Sequence, residues 1–181
     1  MSNISEVLRN AKRIHFIGIG GSGMCPLAEI LHAKGYSLQG SDNNESSIVE
    51  RIRKLGIPVM MGQKAENIKG ADMIVYSAAI QRGNEELEAA LASGIPTFTR
   101  AELFGEVTKH FDNCIGICGT HGKTTTTSMT VQAMLSADLD PSAVIGGKLP
   151  LTDSYGRVGK SDTIAVSYTH LRAHETEADL V

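Results

Sequence analysis

Short apolar runs alternate with amphipathic stretches over the first part of the chain. The run at 13–17 is largely apolar and that at 73–76 wholly so, as in buried strands. Between them, apolar residues recur at the helical positions Met24, Leu27, Ala28 and Leu31. The predicted strands of this part are 13–17, 36–39, 59–61, 73–76 and 97–99. Strands that alternate with helices of about three turns predict an α/β fold with a parallel, doubly wound, Rossmann-like sheet.

Glycine marks the end of the predicted helices in this part. Gly35, Gly56 and Gly94 each follow the last apolar position of a helix, where glycine tolerates the left-handed backbone. Asn84 is a predicted N-cap, and a last helix is predicted at 101–111. The predicted apolar face of the helix before Gly56 consists of Ile48, Ile52 and Leu55.

A second strand, loop and helix follow residue 110. The run at 114–118 predicts a buried strand with Cys114 and Cys118 in the core, and 123–137 predicts a helix. Further strands are predicted at 144–148 and 162–166. We place the domain boundary near residue 110, which gives one domain at 1–110 and an incomplete one at 111–166.

A glycine-rich loop follows the first strand. Gly18 to Gly23 read G-x-G-x-x-G between a strand and an amphipathic helix, and Asp42 lies 19 positions beyond Gly23. This combination is typical of a βαβ unit that holds a diphosphate on the helix N-terminus and a ribose hydroxyl on the carboxylate. A tight packing turn for the loop, and a turn or cap role for Asp42, are the alternatives.

Two further sites follow predicted strands of the same sheet. Ser77 to Ile80 come after the strand at 73–76, and Arg100 comes after that at 97–99. Ligands of such sheets bind beyond the carboxyl ends of the strands. Arg100 is therefore a candidate clamp for an anion, with a solvated first-turn arginine as the alternative.

A second phosphate-binding loop lies between the strand at 114–118 and the helix at 123–137. Gly119, Gly122, Lys123 and Thr124 form a G-x-x-G-K-T pattern, which is tighter than a Walker A loop because position 117 is Ile. Backbone amides and Lys123 would hold the phosphates of ATP, and the Thr124 hydroxyl would ligate Mg²⁺. The alternative is a threonine-rich cap after an ordinary glycine turn.

The helix after this loop opens with four threonines, at positions 124–127. Threonine is a poor residue for a helix because its branched side chain loses rotamer freedom there. Hydroxyls directed at a phosphate and a metal ion would explain the run.

Composition and charge bound the function further. The formal net charge is −3 and the pI is about 6.1, so we expect no nucleic-acid or membrane partner. No apolar run approaches about 18 residues, and the N-terminus lacks a signal-peptide core. The three cysteines form no metal-type pair and indicate reduced thiols in the cytoplasm. The oligomeric state stays open.

Two loops on two domains argue for two ligands. A dehydrogenase has no use for the second loop, and a simple ATPase has no use for the first. Three hypotheses follow: an ATP-dependent ligase, an NAD-dependent oxidoreductase built on the first loop, and a non-catalytic nucleotide-binding module.

The motifs of both loops together resemble the Mur ligases of peptidoglycan synthesis. The residues that carry the resemblance are 18–24, 40–42, 77–80, 100–102 and 119–127, and it extends over about 12–166. His121 and the first loop are most similar to the members that join L-alanine to UDP-N-acetylmuramate, with the muropeptide-recycling members as the alternative.

The resemblance implies an ATP- and Mg²⁺-dependent reaction through an acyl phosphate, with UDP, not NAD, at the first loop. It places the substrate at Gly18, Gly20, Gly21, Ser22, Gly23, Met24, Asp42, Ser77 and Arg100. It places ATP at Gly119, Thr120, His121, Gly122, Lys123, Thr124 and Thr125. Lys123 and Thr124 would act in catalysis, Thr124 as a metal ligand and His121 as a contact.

The chain departs from the family pattern at 167–181. The family has a metal-binding Glu after Val166, where this sequence has Ser167. The segment looks like a translated adapter sequence, so we expect it to be non-native and the chain to be an N-terminal fragment. His170 and His174 have the spacing of a zinc pair, which we interpret as accidental.

The 181-residue chain is expected to catalyse no ligation by itself, because the third domain and the metal-binding Glu of the family are missing. The measurement is release of ADP from ATP in the presence of UDP-N-acetylmuramate, with and without L-alanine. Alanine-dependent release above the background would contradict this expectation.

Overall fold

The computed structural model describes residues 3–149 and 154–167. The chain forms two compact units, the first ending at His110 and the second beginning at Phe111. No helix in the described ranges is long and apolar enough to cross a membrane.

The first unit contains a five-stranded parallel sheet, which confirms the predicted fold class. Its strands are β1 (Arg13–Ile17), β2 (Ser37–Asp42), β3 (Val59–Met61), β4 (Met73–Tyr76) and β5 (Thr97–Thr99). Their order is β3-β2-β1-β4-β5, so the direction of winding reverses beside β1. In such a sheet the crevice at this reversal is where a ligand binds.

The helices of this unit are α1 (Ile4–Asn10), α2 (Cys25–Ala33), α3 (Ser47–Lys54), α4 (Glu85–Ala92) and α5 (Arg100–Thr108). Polar side chains begin most of them: Ser46 caps α3, Asn84 caps α4, and Thr99 forms a capping box with Glu102 at α5. Neither α1 nor a short 3₁₀ helix at Ala65–Ile68 was predicted. Each buries a single residue, Leu8 or Ile68, so neither shows a helical stripe.

The core of this unit lies around β1, whose Ile14, Phe16 and Ile17 are fully buried. The predicted face of α3 was wrong in part. Val49 and Ile52 are buried, whereas Leu55 is 40% exposed. Position 48 and position 49 are both apolar, so only the packing against the sheet decides which of them turns inward.

The second unit contains β6 (Asn113–Ile117), α6 (Lys123–Ser136), β7 (Ser142–Leu149), β8 (Ser154–Arg157) and β9 (Thr163–Ser167). The described sheet has the order β6-β9-β7-β8, with β6, β9 and β7 parallel and β8 antiparallel to β7. Its core joins α6 to the sheet through Val131, Ala143, Ile145 and Ala165.

The sequence analysis did not predict β8, and β9 ends one residue later than predicted. β8 is short and polar and pairs with β7, so its pattern did not identify it as a strand. β9 includes Ser167, the first residue of the segment predicted to be non-native. The remainder of that segment, with His170 and His174, lies outside the described residues.

The prediction of a buried strand with two core cysteines at 114–118 was wrong. Cys114 and Cys118 are exposed, and Ile115 is 37% exposed. β6 lies at one edge of the described sheet, beside β9 alone. An apolar strand is buried only where other elements cover it, and the sequence of the strand does not contain that information.

Cys25 is the buried cysteine. It is 2% exposed at the start of α2, and burial raises the pKa of its thiol to about 12, with a further contribution from the nearby Glu29 carboxylate. Because the thiolate is the reactive form, this thiol should be inert at neutral pH.

We expect iodoacetamide at pH 8 to label Cys114 and Cys118 in the native protein and to leave Cys25 unmodified. Mass spectrometry of peptides after timed labelling measures this, and labelling in guanidinium chloride provides the control in which all three cysteines react. Labelling of native Cys25 at the rate of the other two cysteines would show that Cys25 is not buried.

Candidate functional site

A cleft of about 620 Å³ lies at the carboxyl ends of the strands of the first unit. Of the residues predicted to hold substrate, five line it: Gly18, Gly20, Gly21, Asp42 and Ser77. The other lining residues are Asn43, Asn44, Ser46, Ile48, Gln63, Ala79, Ile80, Gln81, Arg82 and Asn84. The cleft is where the winding of the sheet reverses, as the topology requires of a ligand site.

The first glycine loop is fixed by the end of β2. The backbone carbonyl of Ser41 accepts hydrogen bonds from the amides of Gly18, at 2.9 Å, and Ile19, at 3.0 Å. Asp42 Oδ2 accepts one from the Gly20 amide at 2.9 Å. Gly18 has a φ of +80°, which glycine adopts without the strain of a side chain.

Asp42 therefore has a structural role, and its contact with a ribose hydroxyl stays a prediction. Its Oδ1 accepts a hydrogen bond from the Asn44 amide at 3.0 Å, which is the turn role left open by the sequence. An ionised carboxylate has about four acceptor positions, so both oxygens retain capacity for a ligand hydroxyl.

Gly20 has no room for a side chain. A methyl group built on it would lie 2.7 Å from Val49 Cγ2 and 2.8 Å from Asp42 Oδ2. The first glycine loop thus packs directly against α3 and against the carboxylate that holds it. Close approach, together with the hydrogen bond to Asp42, explains the glycine at this position.

Two amides of this loop are available to a ligand. The Gly21 amide donates to Gly18 O, and the Met24 and Cys25 amides both donate to Gly21 O. In the described part of the chain, the amides of Ser22 and Gly23 donate no hydrogen bond. Unpaired amides just before α2 are where a phosphate would be held.

Arg100 packs against the same loop. A methyl group built on Gly23 would be 3.2 Å from Arg100 Nη1, so the guanidinium lies next to Gly23. Arg100 begins α5, whose capping box holds that end of the helix. The structure thus brings a cation beside the two unpaired amides, although Ser22, Gly23 and Arg100 lie outside the cleft lining.

Met24, predicted as a substrate contact, has a structural role. Its side chain is 1% exposed, its amide donates to Gly21 O, and its carbonyl accepts from the Ala28 amide. Met24 therefore anchors the loop to the core, and its contact with a substrate stays a prediction.

Three amide side chains of the cleft wall were missed by the sequence analysis. Gln63 Oε1 accepts from Asn43 Nδ2 at 3.0 Å and from Asn84 Nδ2 at 2.7 Å, and the Gln63 backbone amide donates to Asn43 Oδ1. Asn84 was identified only as a helix cap. Nothing in the spacing of these residues indicates that the fold brings them together.

The second glycine loop, Gly119 to Gly122, differs from the first in that its own amides are unpaired. Within the described residues, the backbone amides from Gly119 to Thr125 donate no hydrogen bond, and the loop is largely exposed. Gly122, with a φ of +77°, is the N-cap of α6. A run of unpaired amides at a helix N-terminus is a site suited to an anion.

Lys123 lies over this loop. Its Nζ donates to Gly119 O at 2.6 Å and to Thr120 O at 3.3 Å. The ammonium group is therefore held close to the unpaired amides, where it would add charge for a phosphate. His121 is exposed in the same loop.

The four threonines that open α6 have different roles. Thr127 is fully buried and its hydroxyl donates to Lys123 O at 2.8 Å, so it faces the helix and not a ligand. The hydroxyls of Thr124, Thr125 and Thr126 donate no hydrogen bond in the described chain. A methyl group built on Gly147 would be 2.9 Å from Thr124 Cγ2, so β7 packs directly against this predicted metal ligand.

The residues present support only a limited metal site. In the described ranges no group of three or more His, Cys, Asp or Glu residues could hold a metal ion. Ser167, which stands where the resemblance predicted a Glu, has a buried hydroxyl without a hydrogen-bond partner. Mg²⁺ commonly keeps several waters and binds through substrate phosphates, so Thr124 could supply one ligand to an ion that arrives with a nucleotide.

Comparison with known proteins gives consistent matches. The family described as "Mur ligase family, catalytic domain" matches residues 13–112. A UDP-N-acetylmuramate–L-alanine ligase of Legionella pneumophila (strain Corby) is 44% identical over 178 residues, which are 98% of this chain and 37% of the relative. The ligase of the same name from Agathobacter rectalis is 49% identical over 150 residues, 82% of this chain and 33% of the relative.

Solved structures of two ligases are also similar. The UDP-N-acetylmuramate:L-alanyl-γ-D-glutamyl-meso-diaminopimelate ligase of Neisseria meningitidis has a TM-score of 0.79 and 31% identity, over 86% of this chain and 52% of the other. The UDP-N-acetylmuramate–alanine ligase of Thermotoga maritima has a TM-score of 0.78 and 28% identity, over 85% of this chain and 36% of the other. The chain thus spans about a third of the length of the curated relatives cited above.

Gly20→Ala is expected to destabilise the first unit by about 1–3 kcal/mol, because the new methyl group overlaps Val49 and the Asp42 carboxylate. Chemical denaturation followed by circular dichroism measures the change. Gly105→Ala is the matched control, since a methyl group there meets no atom within 4 Å. Equal stability of the two variants would mean that the first glycine loop does not pack as described.

Proposed function

The chain belongs to the Mur ligase family, and from this premise we propose that it binds UDP-N-acetylmuramate at the first glycine loop and ATP at the second. The reaction is the ATP-dependent formation of an amide between the carboxylate of UDP-N-acetylmuramate and the amine of L-alanine. The observation that carries the proposal is the presence of two separate sets of unpaired backbone amides, each at the start of a helix.

The first set suits the diphosphate of a sugar nucleotide. The amides of Ser22 and Gly23 on the loop and the guanidinium of Arg100 next to Gly23 are donors complementary to a doubly charged diphosphate. Gly18, Gly20 and Gly21 line the cleft, and Asp42 accepts hydroxyl hydrogen bonds from the ribose. Ser77 lines the cleft next to Gly18, and we assign it a contact with the bound nucleotide.

The second set suits the triphosphate. The amides from Gly119 to Thr125 surround the phosphates, and Lys123 neutralises the charge of the γ-phosphate. The hydroxyl of Thr124 would supply one ligand to a Mg²⁺ ion bound with the nucleotide, and the ion would neutralise phosphate charge. His121 contacts the nucleotide.

The proposed reaction has two steps. A carboxylate oxygen of UDP-N-acetylmuramate attacks the γ-phosphorus, the bond from that phosphorus to the bridging oxygen breaks, and ADP leaves. The amine of L-alanine then attacks the acyl carbon, loses a proton and displaces phosphate, which leaves the amide. Positioning and charge neutralisation are the main demands of such a phosphoryl transfer.

L-Alanine is favoured over a peptide as the second substrate by the sequence relatives. The curated relatives at 44% and 49% identity are named as alanine-adding ligases. ATP as a substrate supports a cytoplasmic location.

Single substitutions should separate the two sites. Lys123→Ala is expected to weaken ATP binding roughly 10- to 100-fold and to leave UDP-N-acetylmuramate binding unchanged, because it removes one charged contact. Arg100→Ala should produce the opposite pattern. Isothermal titration of the 181-residue chain with each ligand, in Mg²⁺, measures both.

The same titrations include two control variants and a test of the oxidoreductase alternative. Lys160→Ala and Arg9→Ala remove exposed charges at other places on the two units and should change neither affinity. Tight binding of NADH in place of UDP-N-acetylmuramate would instead favour an oxidoreductase. Wild-type affinity of Lys123→Ala for ATP would overturn the assignment of the second loop.

A further inference from the structure

A chain of buried polar side chains lies directly behind the cleft of the first unit. His15, Ser41 and Glu86 are all fully buried. His15 Nε2 lies 2.7 Å from Glu86 Oε1, and the Ser41 hydroxyl donates to Glu86 Oε2 at 2.6 Å. Buried polar groups cost free energy unless they are hydrogen-bonded, and both carboxylate oxygens here have a partner.

The hydrogen bonds indicate which ring nitrogen of His15 is the donor and which is the acceptor. Gln39 Nε2 lies 3.3 Å from His15 Nδ1 and donates to Asn67 O at 3.0 Å. An amide nitrogen only donates, so Nδ1 is the acceptor and Nε2 carries the proton that it donates to Glu86. Both ring nitrogens of His15 and both carboxylate oxygens of Glu86 therefore have a hydrogen-bond partner.

Two members of this chain, Ser41 and Glu86, are tied to residues that line the cleft. Ser41 is the residue whose backbone carbonyl holds the Gly18 and Ile19 amides of the first glycine loop. Glu86 is in the first turn of α4, and its amide donates to Oδ1 of the cleft residue Asn84 at 3.1 Å. The bond between Ser41 and Glu86 thus joins the loop on one wall to the start of α4 on the other.

Stability alone does not account for this arrangement. Well-packed apolar residues are often as stabilising as a buried ion pair, because desolvation offsets much of the attraction. A directional bond does what apolar packing does not: it fixes one distance between two elements. The elements fixed here are the two walls of the proposed nucleotide site.

We propose that His15, Glu86 and Ser41 are positioning residues that hold the first glycine loop in register with α4, and that the affinity of the cleft for a sugar nucleotide depends on them. This inference rests on the proposed function for the identity of the ligand. His15 orients the Glu86 carboxylate, Glu86 fixes Ser41, and Ser41 fixes the loop amides.

Glu86→Gln tests the proposal, since it keeps the shape of the side chain and removes the charge and one acceptor. We expect UDP-N-acetylmuramate to bind about tenfold more weakly, while ATP binding at the second unit is unchanged. Ser41→Ala, a milder change, should have the same effect if Glu86→Gln fails to fold. Isothermal titration gives both affinities.

Glu106→Gln is the matched control. Glu106 is 4% exposed on α5 and pairs with Lys109, at 3.4 Å, and His110, at 3.7 Å, and it does not line the cleft. It should lower the melting temperature similarly and leave the affinity for UDP-N-acetylmuramate within twofold of the wild type. Equal affinity losses in Glu106→Gln and Glu86→Gln would reduce the network to a general stabilising role and overturn the proposal.

Hydrogen exchange of the wild type tests the positioning without any ligand. The amides of Gly18 and Ile19 should exchange much more slowly than those of Ser22 and Gly23, and Ser41→Ala should accelerate the first pair only. Equally fast exchange of both pairs in the wild type would overturn the proposal. If the wild type binds no UDP-N-acetylmuramate, the proposed function fails, and the exchange data still decide the positioning role.

Discussion

The hydrogen bonds from the end of β2 to the first glycine loop determine most of what the first unit can do. The Ser41 carbonyl and the Asp42 carboxylate bind the amides of Gly18, Ile19 and Gly20. An amide that donates to the end of β2 cannot also donate to a ligand, so these bonds decide which amides of the loop remain available. The two that do, at Ser22 and Gly23, precede α2 and lie beside Arg100.

In the proposed function, the two glycine loops prepare a phosphate site in two different ways. The first is held by its own sheet before any ligand binds, so little ordering entropy is lost on binding. The second has unpaired amides from Gly119 to Thr125 and a lysine that bonds carbonyls of its own loop. Binding a triphosphate there requires Lys123 to exchange these carbonyls for phosphate oxygens, which lowers the net gain from that contact.

Family membership and local geometry support each other at different scales. The family match covers residues 13–112, and the structure explains why particular residues in that range have their identities. Gly20 leaves room for Val49, and Gly23 leaves room for Arg100. Beyond that range, Thr124 at the start of α6 packs against Gly147 of β7. Thr127 of the same run donates its hydroxyl to the backbone of its own helix. The threonine run thus combines one packing role with hydroxyls that remain available.

The sequence by itself determined the fold class, the two glycine loops and the helix that follows each loop. These features depend on local periodicity and on glycine and cap residues. It could not determine burial or long-range pairing. The exposure of Cys114, the inward turn of Val49 and the buried position of Met24 depend on what packs against each element. The bond between Ser41 and Glu86 joins residues 45 positions apart, and only the fold brings such groups into contact.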